Sequence, residues 1–183
     1  MLTILSLCDY SGTWSKPYRD AGYDVIQVDL KHGHDIRDFK VLPHPVRGIL
    51  AAPPCTEFSV SGNRFWKEKD EDGRTAAALQ LVDACMRIIV AHSPQWWVLE
   101  NPVGRLKHWI GPAKMYFNPC DYGDPYTKKT GLWGHFSPPT MHKVEATLGN
   151  SPITGLGGKS ERTKELRSIT PPGFAQAFFE ANP

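Results

Sequence analysis

The chain predicts an α/β fold, a mostly parallel sheet flanked by helices, on three observations. Short apolar runs alternate with helix-patterned segments through the first half. One long segment, 75–92, carries Leu79, Val82, Met86 and Ile89 at spacings of three or four, the stripe of a core-facing helix. Two apolar runs stop at proline-marked breaks, one delivering Cys55 and the other Glu100. In such sheets ligands sit outside the carboxyl ends of the strands.

Thr3–Leu7 reads as the first strand, Lys16–Ala21 as a short helix and Val25–Asp29 as the second strand. Gly48–Ala52 is the third strand. The long helix Thr75–His92 is opened by Gly73 and Thr75 and closed by Ser93-Pro94, and Trp97–Glu100 is the fourth strand. Beyond Asn101 the pattern thins. Residues 111–158 hold many Gly, Pro and aromatic positions and predict loops with two short strands. Lys159–Arg167 is charged and reads as a solvated connector. Residues 171–181, opening Pro-Pro-Gly, predict a closing amphipathic helix with prolines where a first turn tolerates them.

With 183 residues, 40% apolar and 22% charged, the chain suits one compact catalytic domain over 1–183. A net charge of +2 does not by itself mark a nucleic-acid binder. Cys8, Cys55, Cys85 and Cys120 lack paired spacing, which argues against a disulfide framework or a zinc knuckle. The first residues carry no basic leader, and no apolar stretch reads as long enough to span a bilayer. The expectation is a reduced, cytoplasmic protein with no membrane partner and no metal.

The chemistry lies at the strand ends. The first strand exits into Cys8-Asp9-Tyr10-Ser11-Gly12-Thr13, and the second ends on Asp29. An acid there can accept hydrogen bonds from both hydroxyls of a ribose, and Gly12 lets a backbone approach closely. Only one glycine is present, so a pyrophosphate fits less well than a cofactor with an amino-acid tail. Asp35 can accept from an adenine amino group. Asp9 and Asp29 serve equally well as turn caps. Pro53-Pro54 fix the backbone before Cys55, whereas Cys85 sits in the apolar helix and reads as an inert small hydrophobe. Glu100 follows Trp-Trp-Val-Leu, where a carboxylate is costly without a partner, and burial would let it hold a proton. A thiol and a protonated acid at one sheet edge can attack and protonate a flat, electron-poor ring.

On these residues the chain resembles the DNA cytosine-C5 methyltransferases. Pro54-Cys55-Thr-Glu-Phe58-Ser59-Val-Ser61-Gly62 resembles that family's Pro-Cys nucleophile motif, and Glu100-Asn101 its Glu-Asn motif with Pro102 for the usual valine. Tyr10-Ser11-Gly12 is similar to the Phe-x-Gly cofactor loop, Asp29-Leu30 stands at the ribose acid, and Asp35-Ile36 at the adenine-binding pair. The match covers about residues 3–135. The resemblance implies a Rossmann-like fold that binds S-adenosyl-L-methionine with Tyr10–Thr13, Asp29, Leu30, Asp35, Ile36 and Pro53. It implies that Cys55 adds to carbon 6 of cytosine while Glu100 assists at ring nitrogen 3. DNA, double- or single-stranded, would meet Ser59, Ser61, Asn63, Arg64 and Asn101, with 63–74 as a mobile loop closing over the base.

Two departures qualify it. The family's Gln-x-Arg-x-Arg motif falls on Gly123-Asp-Pro125-Tyr-Thr-Lys128-Lys129-Thr130, where lysine or threonine replaces arginine. Lys128 or Lys129 could supply the charge, with Lys128 the catalytic candidate and Lys129 and Thr130 toward the substrate; a lysine is a point donor rather than a fork. Only residues 139–166 separate Pro138 from Arg167, which leaves no room for the usual target-recognition region. The ending Thr170-Pro-Pro-Gly-Phe174 resembles short, phage-type members, and the near match Gly149-Asn150-Ser151-Pro152 to the family's final motif lies too early. Low sequence specificity, a homodimer or an accessory specificity subunit follow as expectations. Two rivals share these residues: the same chemistry on RNA or a free cytidine nucleotide, and a degenerate, non-catalytic DNA-binding module. A modified methyl as the transferred group is compatible with the same chemistry.

Overall fold

The computed structural model of the chain describes residues 2–150 and 160–183. Strands β1 (Thr3–Leu7), β2 (Asp24–Val28), β3 (Gly48–Ala51), β4 (Trp96–Pro102), β5 (Met115–Phe117) and β6 (Thr130–His135) form one sheet in the order β2-β1-β3-β4-β6-β5. The first four are parallel, and β6 and β5 extend the sheet antiparallel. The chain moves outward from β1 to β2 and returns on the other side as β3, so the strand order reverses between β1 and β3. That reversal opens a crevice at their carboxyl ends.

Alternation along the strands divides the core. Leu5, Leu7, Ile49, Ala51 and Leu99 face α3 (Arg74–His92), while Ile4, Leu50, Trp96 and Val98 face an aromatic layer. That layer holds Trp14, Tyr18 of α1 (Lys16–Asp20), and Phe174 and Phe178 of α6 (Pro172–Ala181), with Phe117 stacked on Phe174 at 4.0 Å. The sheet is thus covered on both faces, as a mostly parallel sheet requires.

The strands and the long helix fall within a residue or two of their sequence boundaries. The buried face of α3 is rotated from the expected stripe. Val82 and Ile89 are buried, but Ala78, Cys85 and Ile88 complete the face, and Leu79 and Met86 only border it. By length and composition α3 is also apolar enough to cross a membrane, which corrects the expectation that no segment is. Here its apolar face packs on the sheet instead. The connector over 159–167 is corrected too: α5 spans Glu161–Ser168, capped by Ser160, whose hydroxyl accepts from the Thr163 amide at 3.2 Å. The expected loops at 151–158, Lys159, and Ser151-Pro152 of the near match lie outside the described residues. Two short helices, α2 (Trp66–Glu71) and α4 (Lys107–Ile110), follow the nucleophile's strand and β4.

Candidate active site

Parallel pairing of Ala51 with Leu99 sets the ends of β3 and β4 side by side. The Asn101 side-chain amide, fully buried, donates to the Pro53 carbonyl at 2.9 Å and ties the two exits together. Cys55 and Glu100, each partly exposed, therefore lie at the same edge of the sheet, close enough for the Glu100 charge to act on the thiol. Burial pushes the Cys55 thiol up, Lys128 pulls it back, and Glu100 raises it again, with smaller downward pulls from its own backbone and Arg167. Burial likewise raises the Glu100 carboxyl, which Lys128 lowers and Asp9 raises further. Such an acid is suited to hold a proton and give it to a ring nitrogen.

Of the substituted basic positions, the structure brings Lys128 to the pair. Antiparallel pairing of Pro102 with Thr130, and the bond from the Val103 amide to the Lys129 carbonyl (3.1 Å), lay 128–130 across the mouth of β4. Lys128 donates to the Arg167 carbonyl of α5 at 2.8 Å. Alternation sends Lys129 elsewhere: it is exposed, with its ammonium 5.7 Å from the Tyr116 ring. Thr130 is buried, and its hydroxyl donates to the Lys128 carbonyl at 2.8 Å, so it supports the lysine rather than facing the pocket mouth.

The turn after Cys55 is tightly held. The Cys55 carbonyl accepts from the amides of Phe58 and Ser59, Thr56 from Lys69 Nζ (2.5 Å), Glu57 from Arg105 Nε (3.0 Å) and Phe58 from the Arg105 amide (2.9 Å). Gly104 permits this approach, since a Cβ there would stand 1.9 Å from the Phe58 oxygen. Ser59 and Ser61 share a 3.0 Å hydroxyl contact, and Asn63 and Arg64 are exposed, Arg64 lying 4.7 Å over the Phe65 ring. Segment 60–73 is a 3-10 turn running into α2 rather than the open loop expected. Lys69 turns inward to the nucleophile's turn instead of outward to a phosphate, because Glu57 and the Thr56 carbonyl offer partners there.

The β1–β2 edge is built differently. Asp9, buried, accepts from Ser6 Oγ (2.8 Å), Ser11 Oγ (3.3 Å), the Gly12 amide (3.0 Å) and Ser15 Oγ (3.0 Å), and so shapes the Tyr10–Thr13 loop. Gly12 takes φ +65°, a left-handed conformation that favours glycine. Tyr10 packs on His32 with ring centroids 5.2 Å apart, under the Lys31 ammonium at 4.7 Å. Asp29 caps the following turn, its Oδ1 accepting from the Lys31 amide at 2.9 Å. Asp35 likewise caps, and it also pairs with Arg37 through both oxygens, which holds its carboxyl down at about 2.

This edge fits a nucleoside with an amino-acid tail. Asp29 uses one oxygen in the cap, leaving Oδ2 for a ribose hydroxyl, and half-exposed Tyr10 and exposed Leu30 offer apolar cover for a base. Asn101 Oδ1 is buried and has no hydrogen-bond partner among the described residues. Asp35 would share its carboxylate with Arg37, whereas Ile36 beside it is buried. The sequence reading missed Asp9, Lys69, Arg105 and Arg167. Asp9 was taken only as a turn cap, and the other three gain their roles through partners distant in the chain.

Comparison with known proteins agrees with this geometry. Residues 16–111 match the model of the C-5 cytosine-specific DNA methylases, a span that holds Asp29, Cys55, Glu100 and Asn101. The chain is 29% identical over 157 residues to the type II methyltransferase M.DdeI of Desulfomicrobium norvegicum, covering 75% of this chain and 31% of that protein. An E. coli prophage-encoded protein assigned as a DNA modification methyltransferase shares the fold. Its TM-score is 0.51 at 18% identity, over 81% of this chain and 54% of its own. The chain thus spans less than a third of the one relative and about half of the other. With more than half of its residues matched, the chain belongs to the C-5 cytosine-specific DNA methylase family.

Proposed function

We propose that the protein methylates carbon 5 of cytosine in DNA through a covalent intermediate on Cys55. The observation that carries this reading is the clustering of Cys55, Glu100 and Lys128 at the carboxyl edge of β3 and β4, set by the Ala51–Leu99 pairing, the Asn101–Pro53 bond and the Pro102–Thr130 pairing. Cys55 adds to carbon 6 of the ring while Glu100, its carboxyl raised by burial, donates a proton to nitrogen 3. Lys128 lowers the thiol and offsets the negative charge that develops on the base. Carbon 5 becomes electron-rich and accepts the methyl group. Loss of the carbon 5 proton to solvent, return of the nitrogen 3 proton to Glu100 and departure of the thiolate restore the aromatic ring. S-adenosylmethionine, held by Asp29 and the Tyr10–Thr13 loop, supplies that methyl on an electrophilic sulfonium.

A cytosine inside a duplex cannot reach the pocket, so the base is flipped out at a cost of roughly a few kcal/mol. Exposed Arg64 and Lys129, outside the Cys55–Glu100–Lys128 cluster, serve as phosphate contacts. The whole of 1–183 acts as one catalytic unit in the cytoplasm of a bacterial or phage-infected cell, with sequence selectivity left to a second copy or an accessory subunit. The test is trapping with a substituted base: DNA, RNA and the free nucleotide, each carrying 5-fluorocytosine, are incubated with cofactor. A covalent, Cys55-dependent adduct is expected on DNA, and Cys55→Ala abolishes it while retaining cofactor affinity. An adduct with the Cys55→Ala protein, or on RNA or the nucleotide in preference to DNA, overturns the assignment.

A further inference from the structure

We propose that Arg105, assisted by Lys69, is a positioning residue for the Cys55 nucleophile, holding the carbonyls of the turn that follows it away from the sulfur. The inference rests on the reading of Cys55 as nucleophile.

Both cations are buried, at 6% and 5% exposure. Arg105 donates to the Glu57 carbonyl, to Asp70 at 2.8 Å and to the Thr75 hydroxyl at 2.7 Å, and its guanidinium lies 4.9 Å from the Trp66 ring and 5.6 Å from that of Trp109. Lys69 donates to the Thr56 carbonyl and pairs with Glu57 at 3.1 Å. The charges that act on the Cys55 thiol are Lys128, Glu100 and Arg167, whereas the two buried cations bond the carbonyls of the turn that follows it. All four carbonyls from Cys55 to Phe58 are engaged, those of Thr56 and Glu57 by these two side chains and those of Cys55 and Phe58 by backbone amides.

Two buried cations are an expensive way to stabilise a fold, since apolar residues of similar volume commonly serve as well or better. Apolar side chains cannot anchor a carbonyl. A released carbonyl would bring the negative end of a peptide dipole toward the sulfur and disfavour the thiolate. The sequence shows the cations but not their burial. Arg105 lies just past Glu100 in the chain, and Lys69 in a run of charged residues that reads as solvated.

The test uses the full chain with Arg105→Met, Arg105→Lys, Lys69→Met and Asp70→Asn, against Lys16→Met at an exposed α1 pair as control. Adduct formation on 5-fluorocytosine DNA is followed against pH, beside cofactor affinity and thermal stability. Arg105→Met and Lys69→Met should slow the adduct step by about 10- to 100-fold and move its pH profile upward. Cofactor affinity and the KM for DNA should hold. Arg105→Lys should recover part of the rate, and Asp70→Asn should shift the profile less, in the same direction. Cys55-dependent trapping at the wild-type rate and pH in these variants overturns the inference alone, whereas trapping without Cys55 overturns the nucleophile reading. A rate that falls only in step with the folded fraction, with no pH shift in Lys69→Met and Asp70→Asn, assigns Arg105 to the scaffold and also overturns it.

Discussion

The β3–β4 edge and the β1–β2 edge meet in one crevice but are built in opposite ways. At the first, the polar groups are anchored by residues far along the chain: Asn101 to Pro53, Lys69 to Thr56, Arg105 to Glu57 and Lys128 to Arg167. At the second, Asp29 and Asp35 cap their own turns, and Tyr10 and Leu30 stay exposed. Covalent chemistry requires the nucleophile and the acid to be fixed before the substrate arrives. A nucleoside pocket can instead complete its apolar cover with the ligand itself. The difference separates what must be preorganised from what is closed by binding.

The comparison predicts that damage to the open edge reads out in affinity and damage to the anchored edge in chemistry or stability. Asp29→Ala should weaken cofactor binding by roughly 10- to 100-fold, the loss of hydrogen bonds to a charged acceptor, with kcat at saturation nearly unchanged. Isothermal titration beside kinetics checks it, and a fall in kcat with unaltered affinity would erase the distinction. Glu100→Gln should change stability in a pH-dependent way. Burial raises the Glu100 carboxyl, so stability is lost as pH rises from the ordinary carboxyl range through the folded value and stays lost above it. Removing the Glu100 charge should stabilise at pH 8, with the gain vanishing toward pH 4, where both states hold the proton. Melting curves across that range decide it, and a gain that grows on acidification reverses the sign. The smallest effect belongs to Lys31→Met, which breaks the exposed ion pair with Glu165 across the open edge. It should cost under about 1 kcal/mol, and less at high salt.

The sequence carried the sheet because strand patterning and proline breaks are local. Cys55, Glu100 and Asp29 were found at strand ends for the same reason. Other features depend on tertiary neighbours. The α3 stripe rotated because the sheet covers Ala78, Cys85 and Ile88, small or branched groups that allow close packing. The choice of Lys128 over Lys129 follows from the antiparallel register of β6, which spacing alone does not reveal. The charged run at 159–167 hid a helix because its buried contact is chiefly Thr163. Lys69 and Arg105 looked like solvated charges because their partners lie in other segments.

The aromatic layer has a consequence for how the crevice comes into being. Trp14, just beyond the Tyr10–Thr13 loop, packs against Phe174 and Phe178, and Tyr18 donates to the Asn182 carbonyl at 2.8 Å. The loop's backing is therefore supplied by a helix translated long after the loop itself. During synthesis β1 and β2 can pair early, yet the floor beneath the cofactor loop awaits emergence of α6 from the ribosome. A nascent chain carries its nucleophile long before it can shelter a donor beside it.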